Sequence, residues 1–183
     1  RNPVHIITDG VHATPRLDGK QWQIPVAVTL NNSGKQAADV TVEVSVFDPQ
    51  GKQVANQSQA VKVPVLTQTL AQVPVVIESP ALWSIEQTNL YRVTTQVVQS
   101  GKIIDEVSLN TGFRTVRFDS QQGFFLNDKH VKLQGVCIHQ DHAGVGVALP
   151  DSIWEYRLRR LKELSVNAIS ISHNAPASEV SDM

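Results

Sequence analysis

The sequence predicts a mainly β protein, in which an immunoglobulin-like antiparallel β-sandwich is followed by a truncated α/β segment. Three observations predict it. Up to about residue 112 the apolar residues recur at every second position, turn signals separate these runs, and beyond that point an apolar strand, an amphipathic helix and another apolar strand follow one another.

The first part of the chain has about seven segments that each bury one face. Alternation is clearest over residues 24–30 and 40–46, and Asn32-Ser33-Gly34 and Ser100-Gly101 are typical turn sequences. The predicted strands are 4–7, 24–30, 40–46, 61–65, 73–77, 91–98 and 103–109. About seven short strands within roughly 110 residues, without helical periodicity, are typical of an immunoglobulin-like sandwich.

The second part has a different pattern. Residues 124–129 predict a tight hairpin turn, and 131–138 and 167–171 predict buried strands. Between these strands we expect a helix with one apolar stripe and a capping box of Ser152 with Glu155. The stripe comprises Trp154, Leu158, Leu161 and Leu164. This order predicts a βαβ unit with parallel strands.

One such unit cannot cover a parallel sheet on both faces, so we expect the second domain to be truncated. The predicted domains are 1–113, the sandwich, and 114–183, the first part of an α/β domain. Apolar side chains of the helix would then lack their usual partners. We therefore expect either self-association, as a homo-oligomer, or disorder beyond residue 114.

Composition excludes several classes of partner. The formal net charge is -1, with 18% charged residues, so nothing attracts the chain to nucleic acid or to an anionic membrane. No apolar run is long enough for a membrane helix, and the start has no signal-peptide pattern and looks cut from something longer. The single cysteine, Cys137, cannot form an internal disulfide, and we expect no cofactor.

Two histidines directly follow the predicted parallel strands. His139 comes after the first strand and His173 closely follows the second. Because the carboxyl ends of parallel strands are where α/β folds bind ligands, both side chains are expected at one cleft. Imidazoles suit hydrogen bonding to sugar hydroxyls, and the structural alternative is a pair of polar loop residues that cap strand ends. Metal binding by residues 139–142 is disfavoured, because adjacent residues seldom point at one ion.

Several motifs occur in a characteristic order. They are Gly112-Phe113-Arg114, Leu126-Asn127-Asp128-Lys129, Leu133-Gln134-Gly135-Val136-Cys137-Ile138-His139, Asn167-Ala168-Ile169 and Ser172-His173-Asn174. In this respect the chain resembles the family 2 glycoside hydrolases, which include β-galactosidases, β-glucuronidases and β-mannosidases. The resemblance implies that the sandwich leads through Gly-Phe-Arg into a TIM barrel. Ser170, where the family usually has arginine, and Ala175 depart from the family pattern.

The same resemblance implies the site residues. The predicted substrate-binding residues are His139 and His173 in the pocket for the terminal sugar, Asp141 near its rim, and Asn174 in the Ser-His-Asn stretch. The family's catalytic glutamates belong to later barrel strands, so we predict no catalytic residue and no metal site in this chain. The expected parent is a retaining β-glycosidase, of β-galactosidase type, that acts on a β-linked oligosaccharide or glycoside, while this chain alone is inactive.

Two other functions fit a β-sandwich. The first is a non-catalytic carbohydrate-binding module, in which Trp22 or Trp83 would stack on a sugar ring. We favour instead a packing role for Trp83 at the end of the sandwich. The second is a cell-surface interaction domain, for which the βαβ unit and its histidines would be superfluous.

Overall fold

The computed structural model describes residues 2–172 and divides after Thr115 into two compact units, each of which is considered by itself. The first unit contains the antiparallel β-sandwich, and the second contains the helix and the parallel strands. The mainly β prediction is therefore confirmed. The assignment of 1–113 and 114–183 to two domains of a larger enzyme stays a prediction.

The first unit consists of two four-stranded antiparallel sheets. Its strands are β1 (Val4–His12), β2 (Arg16–Asp18), β3 (Gln21–Asn32), β4 (Ala38–Phe47), β5 (Gln53–Val63), β6 (Gln68–Ile77), β7 (Tyr91–Gln99) and β8 (Lys102–Thr111). In one sheet β3 pairs with β6 along one edge and with β1 and β2 along the other. The other sheet has the order β5-β4-β7-β8.

The period-two pattern buries one face of each central strand. Alternate residues of β3 and β4 have no exposed surface, and the same is true of several residues of β6 and β7. The fully buried aliphatic side chains of these strands include Ile24, Val26, Val28, Leu30, Val42, Val44, Val46, Val75, Val93 and Val97. Burial of each such side chain contributes about 1.5–3 kcal/mol of transfer free energy, which makes this face-to-face contact the main source of stability.

Two prolines face each other in the middle of the first sheet. Pro25 of β3 is paired with Pro74 of β6. Because neither residue has an N–H, both nitrogens must point away from the ladder that the two strands share. On the other edge of β3, the pairing with β2 covers residues 21–23 and the pairing with β1 starts at Ala27, so Pro25 lies where that edge has no partner. The nitrogen of Pro25, which has no N–H to donate, thus faces the stretch between β1 and β2 where no strand would accept from it.

Side-chain hydrogen bonds connect the two sheets at both places where their edges meet. The Ile6 N–H of β1 donates to the Asp105 carboxylate of β8 at 2.8 Å. On the opposite side, the Gln72 N–H of β6 donates to the Gln59 side-chain oxygen of β5 at 3.1 Å. Main-chain groups that an edge strand would leave unpaired are satisfied in this way.

Several predicted strands are longer than expected, and β1 and β5 show two of the reasons. β1 extends from Val4 to His12 because a bulge at Asp9, which has φ 53°, interrupts the alternation without ending the strand. β5 spans Gln53–Val63 instead of 61–65. Most side chains of β5 are polar and exposed, as suits the edge of a sheet, so the alternation that marks the central strands is absent.

Between residues 116 and 172, the second unit contains two small sheets and one helix. Its elements are β9 (Val116–Asp119), β10 (Gly123–Leu126), β11 (Lys129–His130), β12 (Gly135–Ile138), α1 (Asp151–Glu163) and β13 (Ala168–Ile171). β9, β10 and β11 form an antiparallel meander, whereas β12 and β13 are parallel and α1 connects them. The hairpin turn is confirmed, since Asn127 and Asp128 have the positive φ values, 49° and 62°, that such a turn requires.

The strand predicted over 131–138 begins only at Gly135. Before it, the Asn167 side chain accepts from the Gln134 N–H at 2.8 Å and donates to the Lys132 carbonyl at 3.0 Å. These two side-chain hydrogen bonds, rather than a strand ladder, fix residues 132–134. The strand predicted over 167–171 begins one residue later, at Ala168.

The helix is present, but its predicted capping box is wrong. The N-cap residue is Pro150, which has no side-chain acceptor, so Ser152 lies inside the first turn. Of the predicted stripe, Trp154 is buried, while Leu164 follows the helix and is 76% exposed. No helix within residues 2–172 is long and apolar enough to cross a membrane.

Candidate functional site

A depression lies at the carboxyl end of β12, beside α1. Its volume is about 520 Å³. It is lined by Ile138, His139, Asp141, Tyr156, Arg157, Arg160 and Leu161. Two of the four predicted site residues, His139 and Asp141, therefore share one concave surface. The other two, His173 and Asn174, lie outside the described residues.

The parallel strand pair explains the position of this site. Ile138 and Ile171 are opposite each other at the ends of β12 and β13, and the Ser172 N–H donates to the Ile138 carbonyl at 3.0 Å. His139 thus begins the loop at the same sheet edge where β13 ends. That edge is the one at which α/β proteins bind ligands.

The loop that follows His139 is a hydrogen-bonded turn. The His142 N–H donates to the Gly146 carbonyl, and the Gly146 N–H donates back to the His142 carbonyl, each at 3.0 Å. Gly146 has a φ of 60°, which suits a residue without a side chain. Main-chain bonds therefore shape the loop that carries the candidate residues.

Arg157 of α1 holds the start of this loop. Its Nη1 donates to the His139 carbonyl at 3.2 Å, and its Nη2 donates to the Asp141 carbonyl at 2.5 Å. Nη2 also lies 3.1 Å from Nδ1 of His142. The guanidinium additionally stands over the ring of Trp154, 5.7 Å from its centroid. A buried aromatic thus supports the group that spans the loop.

The contact with Arg157 fixes the hydrogen-bonding role of His142. A guanidinium can only donate, so Nδ1 of His142 must be the acceptor. A ring whose Nδ1 accepts carries its proton on Nε2. In this form Nδ1 is unavailable to a metal ion, and within residues 2–172 no cluster of three or more His, Cys, Asp or Glu side chains has the arrangement of a metal site.

The other guanidinium of the depression is paired with an acid. Arg160 forms a 2.8 Å salt bridge with Glu163, one turn further along α1. The hydrogen bond to Glu163, followed by the one to Tyr156, raises the pKa of Arg160. Both positive charges that line the depression therefore have acceptors within the protein.

The Gly112-Phe113-Arg114 segment packs into the end of the sandwich. A Cβ at Gly112 would lie 3.0 Å from Cβ of Trp83, so a side chain there would require Trp83 to shift by a few tenths of an ångström. Phe113 is fully buried and makes edge-to-face contacts with Trp22 and Tyr91, with ring centroids 5.4 and 4.8 Å away. The Arg114 guanidinium stands 4.7 Å over the Trp83 ring. Trp83 thus packs against this segment.

The sequence model of the glycosyl hydrolases family 2 matches residues 4–114, which is more than half of the chain. The chain belongs to glycosyl hydrolase family 2. The match covers the sandwich and ends with Arg114, the last residue of the Gly-Phe-Arg segment. The family resemblance predicted from the motifs is confirmed.

Relatives within family 2 match the whole chain. A β-galactosidase from Bacteroides ovatus, BoGH2A, is 34% identical over 99% of the chain, and a β-glucuronidase from Bacteroides fragilis is 34% identical over 100% of it. The chain spans 21% and 26% of their lengths. A solved structure of Bacteroides uniformis β-glucuronidase 2, covalently bound to cyclophellitol-6-carboxylate aziridine, has a TM-score of 0.91 at 26% identity and covers 99% of this chain and 23% of its own.

In this family 2 chain, sequence reasoning missed Arg157. Its acceptors are two main-chain carbonyls and one imidazole, and carbonyls leave no mark in a sequence. The only available signal was a run of arginines, Arg157, Arg159 and Arg160, on the helix that follows the histidine strand. That run by itself does not tell which arginine faces the loop.

Proposed function

We propose that this chain supplies the sandwich scaffold and one wall of the sugar pocket of a retaining β-glycosidase. The observation that carries the proposal is that His139 and Asp141 line one depression at the carboxyl end of β12 in a family 2 chain. In barrel enzymes the active site lies at this end of the strands. His173 and Asn174 are proposed as further substrate-binding residues of the same pocket.

The proposed chemistry of these residues is recognition of the terminal sugar. An imidazole can donate to one hydroxyl or accept from one, and an ionised carboxylate accepts from two. Hydrogen bonds to sugar hydroxyls that strengthen in the transition state lower the barrier to glycosidic cleavage by several kcal/mol. On this proposal His139 and Asp141 orient the sugar, and the acid/base and nucleophilic carboxylates belong to other parts of the enzyme.

Retention of configuration is supported by a relative. A retaining glycosidase uses two carboxyl groups about 5–5.5 Å apart, one of which forms a covalent bond with the sugar. The β-glucuronidase 2 of Bacteroides uniformis is described as covalently bound to its cyclophellitol-type ligand. A covalent adduct of this kind is what an enzymatic nucleophile would form.

For the sugar we propose a neutral β-galactoside. The two relatives at 34% identity are a β-galactosidase and a β-glucuronidase, so identity alone favours neither substrate. The charges of the depression favour a neutral one. Arg157 donates to loop acceptors and Arg160 is paired with Glu163, so neither guanidinium is left to balance the carboxylate of a glucuronide.

Binding and turnover test the proposal separately. The 183-residue chain is titrated with a β-thiogalactoside and a β-thioglucuronide, both of which resist hydrolysis, and amide chemical shifts are followed. We expect the galactoside to shift residues 138–142, and His139→Ala to abolish the effect while His130→Ala, an exposed histidine of the same unit, leaves it unchanged.

Other outcomes would contradict the proposal. If the ligand shifted only amide signals of residues before Gly112, and if substitution of Trp22 or Trp83 removed these shifts, a carbohydrate-binding module would be favoured. Stronger binding of the glucuronide would contradict the choice of sugar. Release of p-nitrophenol from a chromogenic β-galactoside by this chain alone would show that it contains its own catalytic carboxylates.

A further inference from the structure

We infer that Arg157 is a positioning residue, which fixes the main chain of residues 139–142 and holds His142 as the Nε2-protonated tautomer. The evidence is the set of three acceptors that one guanidinium reaches within four consecutive residues. The consequence for sugar binding rests on the proposed function, whereas the contacts of Arg157 are independent of it.

The geometry requires an arginine. Nη1 reaches the His139 carbonyl while Nη2 reaches the Asp141 carbonyl and the His142 ring. The five N–H groups of a guanidinium are fixed in one plane, so the acceptors are held at set angles to one another. A lysine keeps the charge but has one nitrogen at the end of a flexible stem, and it cannot serve both carbonyls and the ring with the same geometry.

The support below Arg157 is also specific. Trp154 lies three residues earlier on α1 and is 5% exposed, and its ring faces the guanidinium. Residues three apart on a helix are neighbours on its surface, so the indole limits the positions that the arginine side chain can take. The indole thus helps to orient the guanidinium that contacts the loop.

The chemical consequence concerns both His139 and Asp141. Arg157 binds their main-chain oxygens, and both residues line the depression. Small displacements of such groups reduce the strength of hydrogen bonds to a substrate, because these bonds depend steeply on distance and angle. The helix thus sets where the loop presents the two candidate residues.

Amide hydrogen exchange of the 183-residue chain tests the inference without any ligand. In Arg157→Lys we expect exchange of the Val145 and Gly146 amides, which are hydrogen-bonded within the loop, to accelerate by about tenfold, the effect of losing one charge-assisted hydrogen bond. The Ser172 amide, bonded to Ile138 in the parallel strand pair, should not change. Arg159→Lys, on the exposed side of the same helix, is the matched control.

Nitrogen-15 spectra of the histidine rings supply a second measurement. His142 should show one unprotonated nitrogen, Nδ1, in the parent and in Arg159→Lys, and altered Nδ1 shifts in Arg157→Lys. His142→Asn, which offers a side-chain oxygen as acceptor, should keep the loop amides protected, whereas His142→Phe should not. These variants keep Arg157, so they report on the contact even where Arg157→Lys disturbs folding.

The outcomes separate the two proposals. Equal acceleration at Ser172 and at the loop amides would show that Arg157 serves general stability, and no acceleration anywhere would show that it holds nothing. Either result overturns the inference. If the loop amides respond as expected while the β-thiogalactoside shifts no residue, the proposed function fails and the inference on Arg157 stands.

Discussion

The ring of Phe113 meets the ring of Tyr91 edge to face, with the centroids 4.8 Å apart and the planes at 81°. Phe113 belongs to the Gly-Phe-Arg segment at the end of the family match, and Tyr91 begins β7. The Tyr91 hydroxyl accepts from the Ala81 N–H at 2.9 Å. A motif first noticed as a family signature is therefore part of the sandwich core.

Phe113→Ala should lower the free energy of unfolding by about 3–5 kcal/mol, because it leaves a cavity between Trp22 and Tyr91. Urea unfolding followed by circular dichroism measures the change. Phe118→Ala is the control, since that ring is 75% exposed, and its effect should be small. Equal losses in the two variants would mean that Phe113 is not a core residue.

Thr95→Val should stabilise the sandwich by about 1 kcal/mol. The Thr95 hydroxyl of β7 is fully buried and has no hydrogen-bond partner among residues 2–172, so an apolar side chain of the same shape removes a desolvation cost. The neighbouring Thr94 hydroxyl is bonded to Ser108 at 2.9 Å. Thr94→Val should give no gain in thermal unfolding, and a loss at Thr95 would point to a partner for its hydroxyl.

Asn32→Asp should destabilise the sandwich by roughly 3 kcal/mol, although the two side chains have nearly the same shape. The buried Asn32 amide donates to the carbonyls of Gln36 and Val63, at 2.9 and 3.1 Å, and a carboxylate cannot donate to either. Urea unfolding at neutral pH measures the difference. Asn31→Asp, at the adjacent half-buried position, should cost much less.

Asp119 should make the β9–β10 hairpin sensitive to acid. Hydrogen bonds from the Gln121 and Gln122 N–H groups, with a smaller contribution from Arg117, hold the pKa of Asp119 below its ordinary value of 3.8. A lowered folded-state pKa means that the stabilisation is complete above 3.8 and is lost as the pH falls through the folded value. The amide shifts of Gln121 and Gln122 should follow this transition.

The control for the acid effect is Asp119→Asn. Its amide side chain does not titrate, so the same amide shifts should lose their acid transition. If the transition persisted in this variant, another group would have to cause it. If it were centred above 3.8 in the parent chain, the hydrogen bonds would not favour the ionised carboxylate.

The sequence predicted the sandwich well where burial decides the structure. β3 and β4 alternate because one face of each lies in the core, and period-two patterns report that directly. β5 is an exposed edge strand held by its ladder with β4, and polar residues at an edge give no alternation. Main-chain hydrogen bonds of this kind leave no pattern of side-chain polarity.

The candidate site was predicted in part for a similar reason. The position of His139 follows from the strand before it, since that strand ends where its apolar run ends. The extra length predicted for that strand was wrong because Asn167, more than thirty residues away in sequence, holds residues 132–134 by its side chain. Arg157 acts through main-chain carbonyls as well. Contacts between a side chain and a distant main chain depend on the fold and are not local properties of the sequence.

The bonds from Ile6 to Asp105 and from Gln72 to Gln59 join the two sheets of the sandwich at both places where their edges meet. An extended peptide that approached β1 or β6 at these positions would find the N–H groups already engaged, so strand addition is blocked there. Two side chains that belong to neither the core nor the site of the first unit thus satisfy main-chain donors that an added strand would otherwise use.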